Sequence, residues 1–237
     1  MASRIPCATD EWYHCYNRGV DKRKVFMNSS NYERFTALLY ASNGTKSESI
    51  SDRYNANLQA LLSDESVDRG EPLVDIGAYA LMPTHVHFVL RQLRDEGIAR
   101  FMQKVFTGYT MYFNIRNDRT GALFAGTYKS KHISDDRYLK RVVPYVLLNP
   151  VELFEPGWKT GSFNMNTIEK KLLAYPHSSL RTFLGQESLG KKITGQSLSA
   201  YYDHLPNLKT MLKDAREYYR TESPEVNLRR FNLRRLQ

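Results

Sequence analysis

An α+β fold is predicted, with an antiparallel sheet, helices on one face of it, and a basic, mainly helical extension after it. Three observations carry this. Segments rich in β-branched and aromatic residues alternate with segments of 3.6-residue apolar periodicity, in the order strand, helix, strand, strand, helix, strand, helix. The second and third strand segments, "VDIGAYALM" and "HVHFVLRQ", are separated by little more than Pro83, which leaves room only for a tight turn. From about Phe154 the chain becomes basic and helical in pattern.

The chain has 237 residues, 41% of them hydrophobic and 25% charged, enough to bury a core without staples. No apolar run approaches the ~18 residues that would read as a membrane span, so no membrane role is expected. The N-terminal "MASRIPCATDEWYH" lacks the apolar stretch of a secretory signal, and Cys7 and Cys15 form no metal or redox spacing. A cytoplasmic protein with reduced thiols is the expectation. Its 34 Lys and Arg against 25 Asp and Glu, a formal charge of +9, favour a polyanionic partner.

"EWYHCYNRG" (Glu11 to Gly19) reads as a strand entering a turn, beside the basic cluster "DKRKVF". A serine cap at Ser29 or Ser30 should open a helix carrying Tyr32, Phe35, Leu38 and Leu39 and ending near Gly44. The polar stretch from Thr45 to Pro72 reads as an insertion, with a small helix at "LQALL". After the two strands around Pro83, Ile98, Phe101, Met102, Val105, Phe106, Tyr109, Tyr112 and Phe113 keep a helical stripe up to "NDRTG". "FAGTYKSKHI" is the fourth strand. "SDDRYLKRVVPYVLLNPVEL" is a helix with an acidic start and a stop at Asn149-Pro150. The order matches ferredoxin-like folds. It divides the chain into a domain over 1–153 and an extension over 154–237 that includes "LSAYYDHLPNLKTMLKDAREYYR" and "NLRRFNLRRLQ".

Two of the six histidines sit one residue apart in "LMPTHVHFVL". In a strand, His85 and His87 point to one face and Val86 to the other, so two imidazoles project together. They make half of a divalent-metal site and need further donors. Tyr145 and Asn149, four residues apart, share a helix face. Asn149 can supply a carboxamide oxygen to a hard cation, and Tyr145 a phenolic oxygen able to attack phosphorus. Of the 16 tyrosines, Tyr109, Tyr112 and Tyr138 are rivals, but none precedes an amide donor at its helix end by four residues.

Taken in order, "YHCYNRGVDKRKVF", "NYERFTALL", "AYALMPTHVHFVL", "FMQKVFTGYTMYFN", "LFAGTYKSKHI" and "YLKRVVPYVLLNPVE", over about residues 11 to 153, resemble the single-tyrosine HUH transposases, most of all the REP-associated tyrosine transposases. The resemblance implies a ferredoxin-like fold and cleavage of single-stranded, hairpin-bearing DNA with Mg or Mn. It implies His85 and His87 as metal ligands, Asn149 as the third ligand, and Tyr145 as a nucleophile that forms a 5′-phosphotyrosine link. Arg18, Lys22, Arg23, Lys24, Lys129 and Lys131 flank the matching segments and are candidates for phosphate contacts. The sequence leaves monomer or homodimer open.

Pro144 inside the tyrosine helix removes a backbone donor and should kink the helix or break it. Two other classes compete with the transposase reading. One is a domesticated nucleic-acid-binding regulator that keeps the fold without transposition. The other is a zinc hydrolase using the histidine pair, which no further donor at a recognisable zinc spacing supports.

Overall fold

The computed structural model describes residues 6–46, 57–159 and 161–221. The terminal "NLRRFNLRRLQ" and residues 47–56 of the polar insertion lie outside the described residues.

The fold is α+β. Strands β1 (Trp12–Arg18), β2 (Val74–Met82), β3 (His85–Gln92) and β4 (Lys129–Ile133) form one antiparallel sheet in the order β2-β3-β1-β4. Helices α1 (Ser29–Ala41), α2 (Leu58–Ser63), α3 (Gly97–Arg116) and α4 (Asp136–Leu147) fall in the expected places. Beyond them lie α5 (Val151–Phe154), α6 (Met165–Ala174), α7 (Leu180–Phe183) and α8 (Leu208–Thr221).

The helices are not confined to one face, as the sequence had suggested. Tyr13 and Cys15 of β1 and Val86, Phe88 and Leu90 of β3 point into a core with Phe35 and Leu39 of α1 and Phe101, Val105 and Tyr109 of α3. The alternate residues Trp12, Ala78, Ala80 and Val89 point the other way. There they pack with Leu139, Val142, Val143 and Val146 of α4, and with Trp158, Ile168, Leu172, Leu180, Met211 and Leu212 of the extension. Residues expected to form a separate appendage thus supply nearly half of this second core. Burying a side chain of the size of Phe88 or Leu180 stabilises the fold by about 1.5–3 kcal/mol.

A bulge between Ile76 and Ala78 sets the phase of β2. Ile76 faces the first core before the bulge and Tyr79 faces it afterwards, so Ala78, Ala80 and Met82 are delivered to the α4 side. Gly77 stands at the bulge because a Cβ there would lie 2.7 Å from the Trp12 ring. Ala80 then pairs with His87 and Met82 with His85, and the small alanine leaves room beneath α4.

Three local details differ from expectation. The α1 cap is Asn28 rather than a serine; its side chain accepts from Asn31 N, while Asn31 Oδ1 accepts from Met27 N. The fourth strand is shorter than "FAGTYKSKHI": Phe124 makes only an isolated bridge to Gly19, and regular pairing starts at Lys129. Pro144 does not break α4, which runs continuously from its Asp135 cap to Leu147. Asn149 therefore lies in the turn just past the helix.

Among the described residues, no helix is long and apolar enough to cross a membrane.

Candidate active site

The register of the sheet gathers the site. On β3, His85 and His87 project toward α4, opposite Arg18 and Tyr16 of β1, and β1 places His14 two residues further along the same face. On β4, Lys129 and Lys131 sit opposite Tyr16 and His14 and so stand on that face too. From above, α4 brings Tyr145. Its ring is edge-on to His87, with centroids 5.6 Å apart at 87°, and to His14, 5.7 Å apart at 83°.

Each histidine is held through one nitrogen. His85 Nδ1 lies 2.9 Å from Thr84 Oγ1, which leaves Nε2 turned to Asn149 Oδ1 at 3.4 Å. That distance is long for a hydrogen bond and suits two donors converging on one ion. His87 Nδ1 lies 3.0 Å from His14 Nε2, the two ring planes within 14° of parallel and meeting edge to edge. Asn149 Nδ2 also reaches back to the Tyr145 carbonyl at 3.4 Å, which ties the turn to the helix end.

Burial keeps the imidazoles neutral, as ligation requires. It lowers His14 to about 3, with the Lys131 charge acting in the same direction. His87 is held well below the usual histidine range by burial, then by His14 and His85. His85 is lowered by burial and by Arg18, against the opposing pull of the Asn149 side-chain oxygen that faces its Nε2. Burial pushes the Tyr145 phenol up to about 12, and its hydrogen bond with the Asn149 side chain pulls the other way. The resting group is therefore the phenol, and attack needs its proton removed or the developing charge stabilised.

The donors fit a divalent ion. His85 Nε2 and Asn149 Oδ1 face each other and His87 lines the same hollow, a set of nitrogen and oxygen donors of the kind that a divalent ion takes. Among the described residues no group of three or more His, Cys, Asp or Glu side chains could hold a metal ion, so a closed zinc cage of those residues is absent.

The histidines stand between two hollows. One, of about 230 Å³, is lined by His85, His87, Tyr145, Asn149, the Glu152–Lys159 ion pair and Trp158. The other, of about 170 Å³, is lined by Tyr16, Asn17, Arg18, Thr84, the same histidines and Lys129. Of the six cations expected to contact phosphate, Arg18 and Lys129 thus border the site, and Lys131 lies beside it over the Tyr138 ring at 5.1 Å. Lys22, Arg23 and Lys24 line neither hollow; Lys22 is exposed in a left-handed turn, and Arg23 pairs with Asp21 at 4.0 Å. Two of the three rival tyrosines are placed elsewhere, whereas Tyr138 stands on α4 beside the site, under Lys131. Tyr109 is in the opposite core with its hydroxyl on the Val25 carbonyl, and Tyr112 packs against that same core.

His14 and Tyr16 were not singled out from the sequence. Tyr16 stacks on His14 at 5.1 Å and on His87 at 5.8 Å, completing one face of the site. The available signal was the period of two in "WYHCYNR", which puts both on one side of a strand.

No family profile matches the chain, and no curated protein matches it. Among solved structures, a REP-associated tyrosine transposase bound to a REP hairpin is similar, with a TM-score of 0.46 and 12% identity over 84% of this chain and 92% of that one. The likeness is loose, and the chemistry below rests on this chain's own residues.

Proposed function

We propose that the protein is a metal-dependent single-strand DNA endonuclease and strand transferase of the transposase type, acting on hairpin-bearing DNA with Tyr145 as nucleophile. The observation that carries the reading is the placement of the Tyr145 ring edge-on to His87, in a hollow it shares with His85 and Asn149. A phenol, two neutral imidazoles and an amide oxygen lining one hollow, with Arg18 and Lys129 alongside, support a phosphodiester site over a store of packing residues.

In this reading His85, His87 and Asn149 hold Mg or Mn, which when bound polarises the phosphate and offsets charge on the phenolic oxygen. Tyr145 Oη forms a bond to phosphorus as its proton passes to solvent, and the bond from phosphorus to the 3′-oxygen breaks, the leaving oxygen taking a proton from solvent. A 5′-phosphotyrosine and a 3′-hydroxyl result. A second 3′-hydroxyl reverses the step and joins strands, so no nucleotide cofactor is consumed. Arg18 and Lys129 hold flanking phosphates, and Lys131 adds charge at the rim. The extension over 154–237 is part of this proposal as the wall that closes the nucleophile side, through Trp158, Lys159 and Ala215.

The test is a denaturation-resistant adduct. Full-length protein incubated with labelled hairpin-bearing single-stranded DNA and Mn²⁺ should carry label through denaturing electrophoresis, and Tyr145→Phe should carry none. Hairpin binding with no adduct on a broad substrate panel would instead favour a DNA-binding regulator, and equal labelling of Tyr145→Phe would assign the nucleophile elsewhere.

A further inference from the structure

We propose that His14 is a positioning residue that fixes the tautomer and ring orientation of His87, so that His87 presents an unprotonated Nε2 to the cation. The inference rests on the metal-site reading above, but its tests do not require catalysis.

His14 and His87 are 4% and 3% exposed, in adjacent strands, with His14 Nε2 and His87 Nδ1 3.0 Å apart and the ring planes within 14° of parallel, edge to edge. Two imidazole nitrogens at that distance share one hydrogen: with none the lone pairs repel, and with two the hydrogens collide. Only two neutral arrangements remain. If His14 Nε2 carries the hydrogen, it donates to His87 Nδ1, and the His87 hydrogen must sit on Nε2, which cannot then bind a metal. If His87 Nδ1 carries it, His14 Nε2 accepts and His87 Nε2 keeps its lone pair. Ligation selects the second arrangement, which makes His14 an Nδ1–H tautomer and an obligate acceptor.

Thr84 does the same for His85 by a different route. Its hydroxyl sits 2.9 Å from His85 Nδ1 and can accept or donate as the ring requires. His14 can answer either way only by moving its own ring hydrogen between Nε2 and Nδ1, and the Tyr16 ring against it restricts tilting. The histidine pair is therefore held by two unlike partners, a hydroxyl and a second imidazole. Outer partners that orient a ligating imidazole in this way change metal affinity by about 10- to 100-fold when removed.

The experiment has three arms on the full chain. In the Mg²⁺-loaded wild type, ¹H–¹⁵N correlation of the histidine side chains should place the His87 hydrogen on Nδ1 and the His14 hydrogen on its own Nδ1; a His87 hydrogen on Nε2 overturns the proposal. In Mn²⁺ titrations, His14→Leu, which keeps bulk and removes the acceptor, should bind about 10- to 100-fold more weakly. His14→Gln, whose amide oxygen can take the place of Nε2, should recover most of that loss. Unchanged affinity in His14→Leu, or a loss in His14→Gln as large as in His14→Leu, overturns it; should His14→Leu fail to fold, the wild-type spectrum and His14→Gln decide. Absence of Mn²⁺ binding by the wild type overturns both this inference and the metal site. A missing DNA adduct with all three arms as expected counts against Tyr145 alone and leaves His14 assigned.

Discussion

His177 lies flat on the Tyr32 ring, 3.7 Å between centroids and 7° from parallel, and burial lowers its pKa to about 4. In the unfolded chain it titrates near 6.5. Between these values the unfolded state holds a proton that the folded state refuses, so the contribution is fully present above about pH 6.5 and is lost as pH falls toward 4. His177→Phe keeps a flat ring on Tyr32 and cannot take the proton. Urea midpoints measured at pH 6.5 and pH 4 should fall less in this variant than in the wild type; an equal fall would mean that the acid response comes from other groups. At this scale the sequence disclosed His85 and His87 through strand alternation, and Tyr145 and Asn149 through a four-residue spacing. His14 escaped because its partner is 73 residues away, and periodicity within one strand says nothing about which strand lies beside it.

The helix that carries Tyr145 holds a proline one residue earlier yet stays continuous from Asp136 to Leu147. Pro144 supplies no N–H to the carbonyl one turn back, while its own carbonyl accepts from Leu148 N at 2.8 Å. Packing of Leu139, Val142, Val143 and Val146 against the sheet holds the element together despite the lost donor. Pro144→Ala should therefore stabilise the protein, by on the order of 1–3 kcal/mol, read as a rise in urea midpoint. An unchanged midpoint would show that the proline ring's packing offsets the missing bond. The element's start was legible in "SDD". Its end fell two residues early, because Asn149 needs only the turn after the helix to reach both His85 and the Tyr145 carbonyl. At α1, Asn28, Ser29 and Ser30 are all competent caps in a row, and only the extended backbone of Asn28, at φ −153° and ψ 172°, decides among them.

Over the whole molecule, the sheet is covered on both sides, and the extension supplies nearly half of the second core. The clue was in β2, "VDIGAYALM", which is buried along its full length and, past Asp75, reads as an unbroken apolar run rather than an alternating one. The extension also caps the outer rim of β2: Leu81 N donates to the His177 carbonyl at 2.9 Å, Ser179 N to the Tyr79 carbonyl at 3.0 Å, and Tyr79 N to Ser179 Oγ at 2.8 Å. A chain ending at Phe154 would lose Trp158, Ile168, Leu172, Leu180 and Leu212 from the second core. It should be recovered mainly in the insoluble fraction where the full chain is soluble; a soluble, cooperatively unfolding 1–154 fragment would show that the first part folds alone.

The two rims of the sheet are thus unequal. With β2 closed, β4 is the last strand, and no further strand lies beyond it among the described residues. Lys129 and Lys131 stand exposed along it, on the same face as the histidines. A second copy adding its own β4 would bring lysines against lysines, so the positive charge beside the proposed phosphodiester site also opposes joining edge to edge.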